Sequence, residues 1–193
     1  MKNLFIIDGN GHLMGRLASI SAKYLLDGNK IVILNCEKIE ISGKQIKNKL
    51  KYFSLFKKRT TTNPKKGPFH FKSPSQIFWK VIRGMLPHKT KRGSIALSKL
   101  KVYEGEPPSY HKIKKLIVPN ALRITKLQPG RTFSKLGDIS HGIGWTKKNL
   151  TERLTDLKKN KHKLYYKQKN AKINKTTMLS KRNNLVNILY VKY

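Results

Sequence analysis

The order of hydrophobic and polar positions near the start of the chain predicts a strand, a helix and a second strand. Residues 4–7 form a short apolar run, and turn residues 8–11 follow it directly. Over residues 13–26, apolar side chains recur along one side of a helix: Leu13, Met14, Leu17, Ile20, Tyr24 and Leu25. The apolar run 31–34 suits an interior parallel strand. Because crossovers between parallel strands are right-handed, this unit predicts an α/β fold, a parallel sheet flanked by helices.

A long basic segment, residues 44–72, follows and contains ten Lys or Arg residues. Its first part, residues 44–56, is predicted to be helical. Its second part contains Pro64, Gly67 and Pro68, which break helices. We therefore expect a basic insertion without regular structure after the first part.

The next helix has clear start signals. Ser73 is placed as an N-cap, Pro74 at the first helical position and Gln76 for a capping box. Its buried side is predicted to hold Ile77, Phe78, Val81, Ile82 and Met85. Pro87 ends this helix, and residues 88–93 are expected to form a compact basic turn. A shorter amphipathic segment then contains Ile95, Ala96, Leu97 and Leu100.

The rest of the chain is predicted to be irregular first and helical later. Val102 and Tyr103 are expected in another strand. Prolines and glycines are frequent in residues 105–144, so this stretch is expected to cross the domain surface without adding a regular layer. A long basic helix is expected from Trp145 onward. We therefore predict two parts, an α/β core with basic loops over residues 1–144 and a basic helix and tail over 145–193.

Two apolar groups lie in the second part. A spacing near 3.5 predicts a narrow stripe that packs on the body or on a neighbouring protein, formed by Leu150, Leu154, Leu157 and Leu164. Coiled-coil pairing is the alternative, although Lys161 interrupts the stripe. A second cluster, for which the sequence indicates no role, comprises Leu185, Val186, Ile188, Leu189, Tyr190 and Val191.

Charge narrows the class of partner. The formal net charge is +34, from 43 Lys and Arg against 9 Asp and Glu. Residues 41–103 contain 17 basic and no acidic residues, and residues 157–193 contain 11 and none. A solvated surface usually mixes both signs, so these stretches favour a polyanion. Nucleic acid fits best, because each neutralised phosphate releases counterions. A membrane partner is not expected, since no apolar stretch approaches the roughly 18–20 residues that span a bilayer.

The chain offers little that indicates catalysis or metal binding. Cys36 is the only cysteine and is interpreted as a small buried residue at a strand end. The six histidines lack metal-ligand spacing, and the few acids fit turns, caps and local charge pairs better than acid–base chemistry. We therefore expect no catalytic residues, no metal, no cofactor and no small-molecule substrate.

One glycine turn raises the alternative of nucleotide binding. Gly9, Gly11 and Gly15 join a strand to a helix, and Glu37 follows the next strand. A dinucleotide-binding fingerprint reads G-x-G-x-x-G, whereas the third glycine here comes one residue late. The structural interpretation is a tight turn formed with Gly9 and Gly11, with Gly15 allowing close packing.

Three short basic segments are better candidates for a binding surface. They are Lys57-Lys58-Arg59, Lys65-Lys66 and Lys89-Thr90-Lys91-Arg92. Their lysines supply point charges and their arginines supply forks that hold phosphate in two places. Nearby aromatics can stack on unpaired bases, although Phe53 and Phe56 are as well explained as core residues. No sequence-specific recognition motif is visible, which favours binding by shape and backbone.

Three separated motifs stand out along the chain: IDGNGHLMGRLAS at 7–19, NCEKIEISG at 35–43 and RGMLPHKTKRG at 83–93. Together they resemble the universal ribosomal protein thirteen family of the large subunit. KVYEG at 101–105, followed by Pro107-Pro108, is similar to the eukaryotic and archaeal branch. Leu136-Gly137 and Gly144-Trp145, with the basic helix after them, are similar to the eukaryotic form. The resemblance covers residues 4–169, and the path of the chain beyond that is left open.

The resemblance implies a non-enzymatic protein that helps large-subunit ribosomal RNA fold and then holds it, beside neighbouring large-subunit ribosomal proteins. It implies a cytoplasmic location in the large subunit, with nucleolar assembly in a eukaryote. The best RNA contacts are expected in the basic turn 88–92 and the insertion 57–66. The full set of expected RNA-binding residues is Arg16, Lys44, Lys57, Lys58, Arg59, Lys65, Lys66, Arg83, His88, Lys89, Lys91, Arg92, Lys158, Lys159 and Lys163.

Two other functions stay open at this point. A messenger-RNA regulator acting away from the ribosome would bind one hairpin far better than others at the same salt concentration. A nucleotide-dependent enzyme would show saturable NAD or ATP binding that Gly11→Asp abolishes.

Overall fold

The computed structural model describes the backbone of residues 3–190 and the side chains of residues 3–177. Its contacts divide the chain into two units, Met1–Thr151 and Glu152–Tyr193. The elements follow in the order β1 Leu4–Asp8, α1 Met14–Leu26, β2 Lys30–Leu34, β3 Glu40–Ser42, α2 Gln45–Lys57, α3 Pro74–Met85, α4 Lys91–Ser98, β4 Leu100–Val102, α5 Arg123–Lys126, β5 Phe133–Lys135, α6 Leu136–Gly142 and α7 Lys148–Tyr190.

A three-stranded parallel sheet organises the first unit. Its strand order is β1-β2-β4, so β2 is the central strand. Ile6 pairs with Val32 in the register of β1 and β2, and Ile33 pairs with Val102 in that of β2 and β4. The α1 helix connects the first two strands, as the strand–helix–strand pattern predicted. The predicted α/β class, with a parallel sheet flanked by helices and a long C-terminal helix, is confirmed.

Alternate residues of the central strand serve two apolar clusters. Ile31 and Ile33 belong to the main core, to which α1, α3 and α4 contribute. Val32 and Leu34 belong to a smaller cluster, against which Tyr103 and Tyr110 pack. A strand that is buried on both faces needs a continuous apolar run, and residues 31–34 supply one.

The buried side of α1 is rotated relative to the predicted side. Leu17 and Leu25 are buried as expected, but the other buried residues are the small ones, Ala18, Ser21 and Ala22. Small side chains let α3 and α4 approach α1 closely. Tyr24 was wrongly placed on the buried side; it is 47% exposed, with its ring centroid 5.6 Å from that of Phe5.

A small second sheet and the helix after it correct the prediction for residues 105–144. The strands β3 and β5 pair antiparallel, and α6 begins directly after β5. Leu136, Ile139 and Ile143 are buried at helical spacing, so this stretch does add a regular layer. Gly137 misled the prediction: it permits close packing, because a Cβ there would lie 2.8 Å from the Glu37 carbonyl oxygen.

The N-cap and the proline predicted at the start of α3 are confirmed, whereas the side-chain bond of Gln76 that would complete a capping box stays a prediction. The Ser73 hydroxyl accepts a hydrogen bond from the Gln76 backbone N–H, and Pro74 occupies the first helical position. The helix predicted over residues 44–56 is present as α2. Two apolar positions were assigned to the wrong environment, since Met85 is 43% exposed and Ile95 is 57% exposed. Met85 is the last residue of α3, where fewer neighbours are available to cover it, and Ile95 lies next to the buried Ala96 on α4.

The long helix α7 forms the greater part of the second unit. The four leucines of the predicted stripe are exposed, by 52% at Leu150, 57% at Leu154, 48% at Leu157 and 61% at Leu164. Their burial against a neighbouring protein stays a prediction. The terminal apolar cluster, residues 185–191, lies outside the residues whose side chains are described.

Candidate nucleic-acid interface

The basic turn between α3 and α4 is held by local hydrogen bonds. The Thr90 hydroxyl donates to the Pro87 carbonyl at 2.7 Å and accepts from the Gly93 N–H at 3.3 Å, which caps α4. A Cβ on Gly93 would lie 2.1 Å from the Pro87 carbonyl oxygen, so glycine is required there. Thr90 and Gly93 therefore hold the backbone of this turn.

The cations of this turn face solvent. Lys89, Lys91 and Arg92 are exposed, whereas His88 is half-buried, with Nδ1 3.4 Å from the Leu86 carbonyl oxygen. Lys91 and Arg92 lie in the first turn of α4, so the predicted compact turn is shorter than expected and two of its cations are helical. Helix N-termini favour anions, and the helical position adds to the charge of the side chains.

A second basic surface lies in the segment after α2. Lys57 is the last residue of α2, and Lys65 and Lys66 lie in the 3-10 turn Pro64–Lys66. The two ends of this segment lie close together. Nε2 of His70 donates to the Lys58 carbonyl at 2.9 Å, and a Cβ on Gly67 would lie 3.0 Å from the Thr60 nitrogen. The five predicted contacts, which are all exposed, are Lys57, Lys58, Arg59, Lys65 and Lys66.

The other predicted contacts in the first unit lie on separate elements. Arg16 is exposed in the first turn of α1, and Lys44 is exposed immediately before α2. Arg83 is exposed near the end of α3, with its guanidinium carbon 6.0 Å from the centroid of the Trp79 ring. Because α3 ends two residues later, Arg83 is a near neighbour of the basic turn in sequence and structure.

Three predicted contacts belong to the second unit. Lys159 and Lys163 are exposed on α7, and Lys158 is half-buried. The Lys159 ammonium lies 3.2 Å from a carboxylate oxygen of Asp156. Both partners are well exposed, so this pair contributes little to stability.

Three acids of the first unit pair with cations outside the predicted set. Glu40 pairs with Arg123 at 2.6 Å, Asp138 with Lys148 at 2.8 Å, and Glu106 with Lys115. Other acids accept structural hydrogen bonds, as Glu37 does from the Gly105 N–H at 2.9 Å. Among the described residues of the unit, the cations of the two basic surfaces therefore have no carboxylate partner.

The glycine turn at residues 9–15 is covered by another part of the chain. The Leu13 N–H donates to the Ala121 carbonyl at 2.8 Å, and the Arg123 N–H donates to the Gly11 carbonyl at 2.9 Å. A cofactor phosphate would need the backbone N–H groups of this turn, and that of Leu13 is already bonded to Ala121, so this geometry argues against a dinucleotide site. Gly11 has a φ of +70°, as a tight turn requires.

Close packing in this turn involves a different glycine from the one predicted. A Cβ on Gly9 would lie 2.9 Å from Ile39 Cγ1 and from the Leu34 carbonyl oxygen, whereas a Cβ on Gly15 would have open space around it. The packing role expected of Gly15 is therefore wrong and belongs to Gly9.

A further group of cations was missed by the sequence reasoning. Lys47, Lys51 and Arg131 line one cleft of about 410 Å³ in the first unit, which we call the basic cleft. The two lysines are one helical turn apart on α2, a spacing that is visible in the sequence. Arg131 is distant along the chain, and only the pairing of β3 with β5 brings it near.

Comparison with known proteins identifies the family. The family model described as Ribosomal protein L13 matches residues 2–109, which is more than half of the chain. The chain belongs to the ribosomal protein L13 family. The large ribosomal subunit protein uL13 of Spodoptera frugiperda is 49% identical over 154 residues, covering 80% of this chain and 76% of that protein. This L13-family match agrees with the resemblance to the eukaryotic branch.

Membership of the L13 family assigns a structural role in the ribosome, and this family is not an enzyme family. No helix of the described residues is long and apolar enough to cross a membrane. In the same part of the chain, His, Cys, Asp and Glu residues do not gather in groups of three or more that suit a metal ion.

Proposed function

We propose that this L13-family protein is a structural constituent of the large ribosomal subunit that binds and stabilises large-subunit ribosomal RNA. It supports subunit assembly and translation. The observation that carries the proposal is the basic turn, in which Lys89, Lys91 and Arg92 are exposed on a backbone fixed by Thr90 and Gly93.

A held backbone suits a folded RNA because little backbone freedom is lost when the phosphates are bound. Each neutralised phosphate releases counterions, so many weak contacts add up to strong binding. Lys57, Lys58, Arg59, Lys65 and Lys66 form a second surface of the same kind. Arg16, Lys44, Arg83 and His88 are proposed as further contacts in the first unit, and Lys158, Lys159 and Lys163 in the second.

The proposed partners are the RNA of the large subunit and the ribosomal proteins beside it. The exposed leucine stripe, Leu150, Leu154, Leu157 and Leu164, is proposed to pack on such a neighbour. Residues 1–144 would then act as the core with basic loops, and residues 145–193 as a basic helix and tail. We place the protein in cytoplasmic large subunits, assembled in the nucleolus where the cell has one.

Charge reversal in the basic turn tests the proposal. A tagged chain carrying Lys89→Glu, Lys91→Glu and Arg92→Glu is compared with the wild type and with a matched control, Lys101→Glu, Lys112→Glu and Lys114→Glu, whose residues are also exposed. Sucrose-gradient sedimentation at moderate and high salt, with a nuclease-treated sample, measures incorporation. We expect the wild type and the control to remain with the large subunit in high salt.

The turn variant should incorporate several-fold less while its isolated fold, measured by circular dichroism, is unchanged. Equal incorporation of the turn variant and the control would contradict the assignment of the turn. Migration of the wild type at the top of the gradient would contradict the proposed function itself, because peripheral binders lose affinity steeply as salt rises.

A further inference from the structure

The basic cleft is a concave, cationic site that the predicted RNA contacts do not include. Lys47, Lys51 and Arg131 line it, together with the hydrogen-bonding side chains of Ser42, Gln128 and Thr132. All three cations are exposed, and none of them has a carboxylate partner among the described residues. Three cations in one cleft repel each other unless an anion enters it.

Buried hydrogen bonds hold the walls of the cleft together. Asn48 is buried on α2, and its Nδ2 lies 2.8 Å from the Ser134 hydroxyl of β5 and 3.2 Å from the Ser42 carbonyl oxygen of β3. The Gly43 N–H donates to the Thr132 carbonyl at 2.8 Å. The cleft is therefore built from three elements of the first unit that are tied to one another.

A tight turn presents the arginine. Pro129 and Gly130 are the central residues of this turn, Gly130 has a φ of +79°, and the Arg131 N–H donates to the Gln128 carbonyl at 3.2 Å. This is the pattern of a type II turn, in which proline and glycine fix the backbone. The turn thus sets the backbone position of Arg131 at the edge of the cleft.

Both lysines of the cleft belong to the first half of α2. Lys47 and Lys51 are four residues apart on α2, so they lie on the same side of it. No side chain caps the start of α2, and its first backbone N–H groups add partial positive charge beside the cleft. The donors, the fork of Arg131 and the helix start all suit a tetrahedral oxyanion.

We propose that the basic cleft binds a backbone phosphate of the RNA, a contact separate from the basic turn and the segment after α2. The inference rests on the proposed function and gives it a specific site. Inorganic phosphate and a phosphodiester of RNA carry the same kind of anionic oxygens, so either could enter the cleft. A phosphodiester is favoured because its neighbours in the RNA supply the additional contacts that hold it there.

Three sets of substitutions test the cleft, each removing three positive charges. The cleft variant carries Lys47→Gln, Lys51→Gln and Arg131→Gln. The reference variant carries Lys89→Gln, Lys91→Gln and Arg92→Gln, and the control carries Lys101→Gln, Lys112→Gln and Lys114→Gln. For each full-length chain, the Kd for a large-subunit RNA transcript is measured over a range of salt concentrations, and a thermal melt confirms the fold.

The slope of log affinity against log salt is negative, and its magnitude should fall by about 1 or more in the cleft variant and by less in the control. Slopes of equal magnitude in the cleft variant and the control, with a smaller magnitude in the reference variant, would overturn the cleft site and leave the proposed function standing. The wild-type chain is also measured with an unrelated RNA of the same length, and failure to bind the transcript more tightly than that RNA would instead overturn the proposed function.

A titration with inorganic phosphate, followed by the NMR signals of the cleft residues, separates the two sources. The proposal expects only weak, unsaturated changes at millimolar phosphate and clear changes with the RNA transcript. Saturation by free phosphate, combined with an unchanged RNA slope in the cleft variant, would overturn the assignment to RNA.

Discussion

Nε2 of His12 accepts a hydrogen bond from the backbone N–H of Val118 at 3.0 Å. Because Nε2 is the acceptor, the proton of the neutral ring is on Nδ1, which donates to the Asn10 carbonyl at 3.0 Å. The side chain is fully buried. This histidine therefore fastens the segment around Val118 over the glycine turn, and it needs a neutral ring to do so.

Stability should fall when the pH is lowered through the range in which His12 takes up a proton. Burial lowers the pKa of His12 from its ordinary value of 6.5. The unfolded chain then binds more protons than the folded chain, so the stabilising contribution is present above about pH 6.5 and is lost as the pH falls toward the folded pKa. Urea unfolding at pH 7.5, 6.5 and 5.5 measures this loss.

Two substitutions distinguish the contribution of His12 to the pH dependence of stability from that of the other titrating groups. His12→Gln should lower stability at pH 7.5 but flatten its dependence between pH 7.5 and 5.5. His162→Gln, at an exposed position of α7, should leave both the stability and the profile unchanged. If the stability of His12→Gln depended on pH as strongly as that of the wild type, the pH dependence would come from other residues.

The order of the first strands and helices could be predicted from the sequence, because the signals for it lie among neighbouring residues. The apolar run in β2 and the cap at Ser73 are of this kind. The interpretation failed where tertiary packing reverses a local preference. A glycine such as Gly137 is typical of a loop, but here it allows α6 to approach Glu37. On α1, the small residues Ala18 and Ala22 are buried, whereas the larger Tyr24 is exposed.

Replacing Gly93 by alanine should destabilise the protein through the basic turn. The new Cβ would lie 2.1 Å from the Pro87 carbonyl oxygen, so backbone must shift. Overpacking of this kind costs about 1–3 kcal/mol. Gly84→Ala is the matched control on α3, because a Cβ there meets nothing within 4 Å; it should raise stability by about 0.5 kcal/mol. Denaturant unfolding compares the two, and equal effects would refute the role given to Gly93.

The candidate interface shows the same division between local and distant information. The cations at residues 57–66 and 88–92 are consecutive in sequence, so charge counting was enough to propose them. Lys51 and Arg131 share a cleft only because β3 pairs with β5, and that pairing joins parts of the chain that no local pattern relates. A site whose residues are brought together by long-range strand pairing can be proposed only once the three-dimensional structure is known.

Phe78 should be the most costly aromatic to truncate. It has no exposed surface and lies in the main core, where α1, α3 and the sheet meet. Phe78→Ala should lower the free energy of unfolding by about 3–5 kcal/mol, since it leaves a cavity and removes buried apolar surface. Phe69→Ala removes a ring that is 74% exposed and should change stability by less than about 0.5 kcal/mol. Urea midpoints distinguish these outcomes, and similar midpoints would contradict the assigned core.

Cys36 should be inert toward thiol reagents while the chain is folded. Its side chain is fully buried after β2, with Sγ 3.9 Å from the Ile33 carbonyl oxygen, and burial raises the pKa of the thiol well above its ordinary value. Both effects reduce the amount of accessible thiolate, the reactive form.

Labelling with a chromogenic disulfide at pH 8 should be very slow in buffer and complete in concentrated urea. Ser109→Cys, at an exposed position, is the control and should add one fast-reacting thiol. Rapid labelling of the wild-type chain under native conditions would mean that Cys36 is accessible and that the packing beneath β2 opens readily.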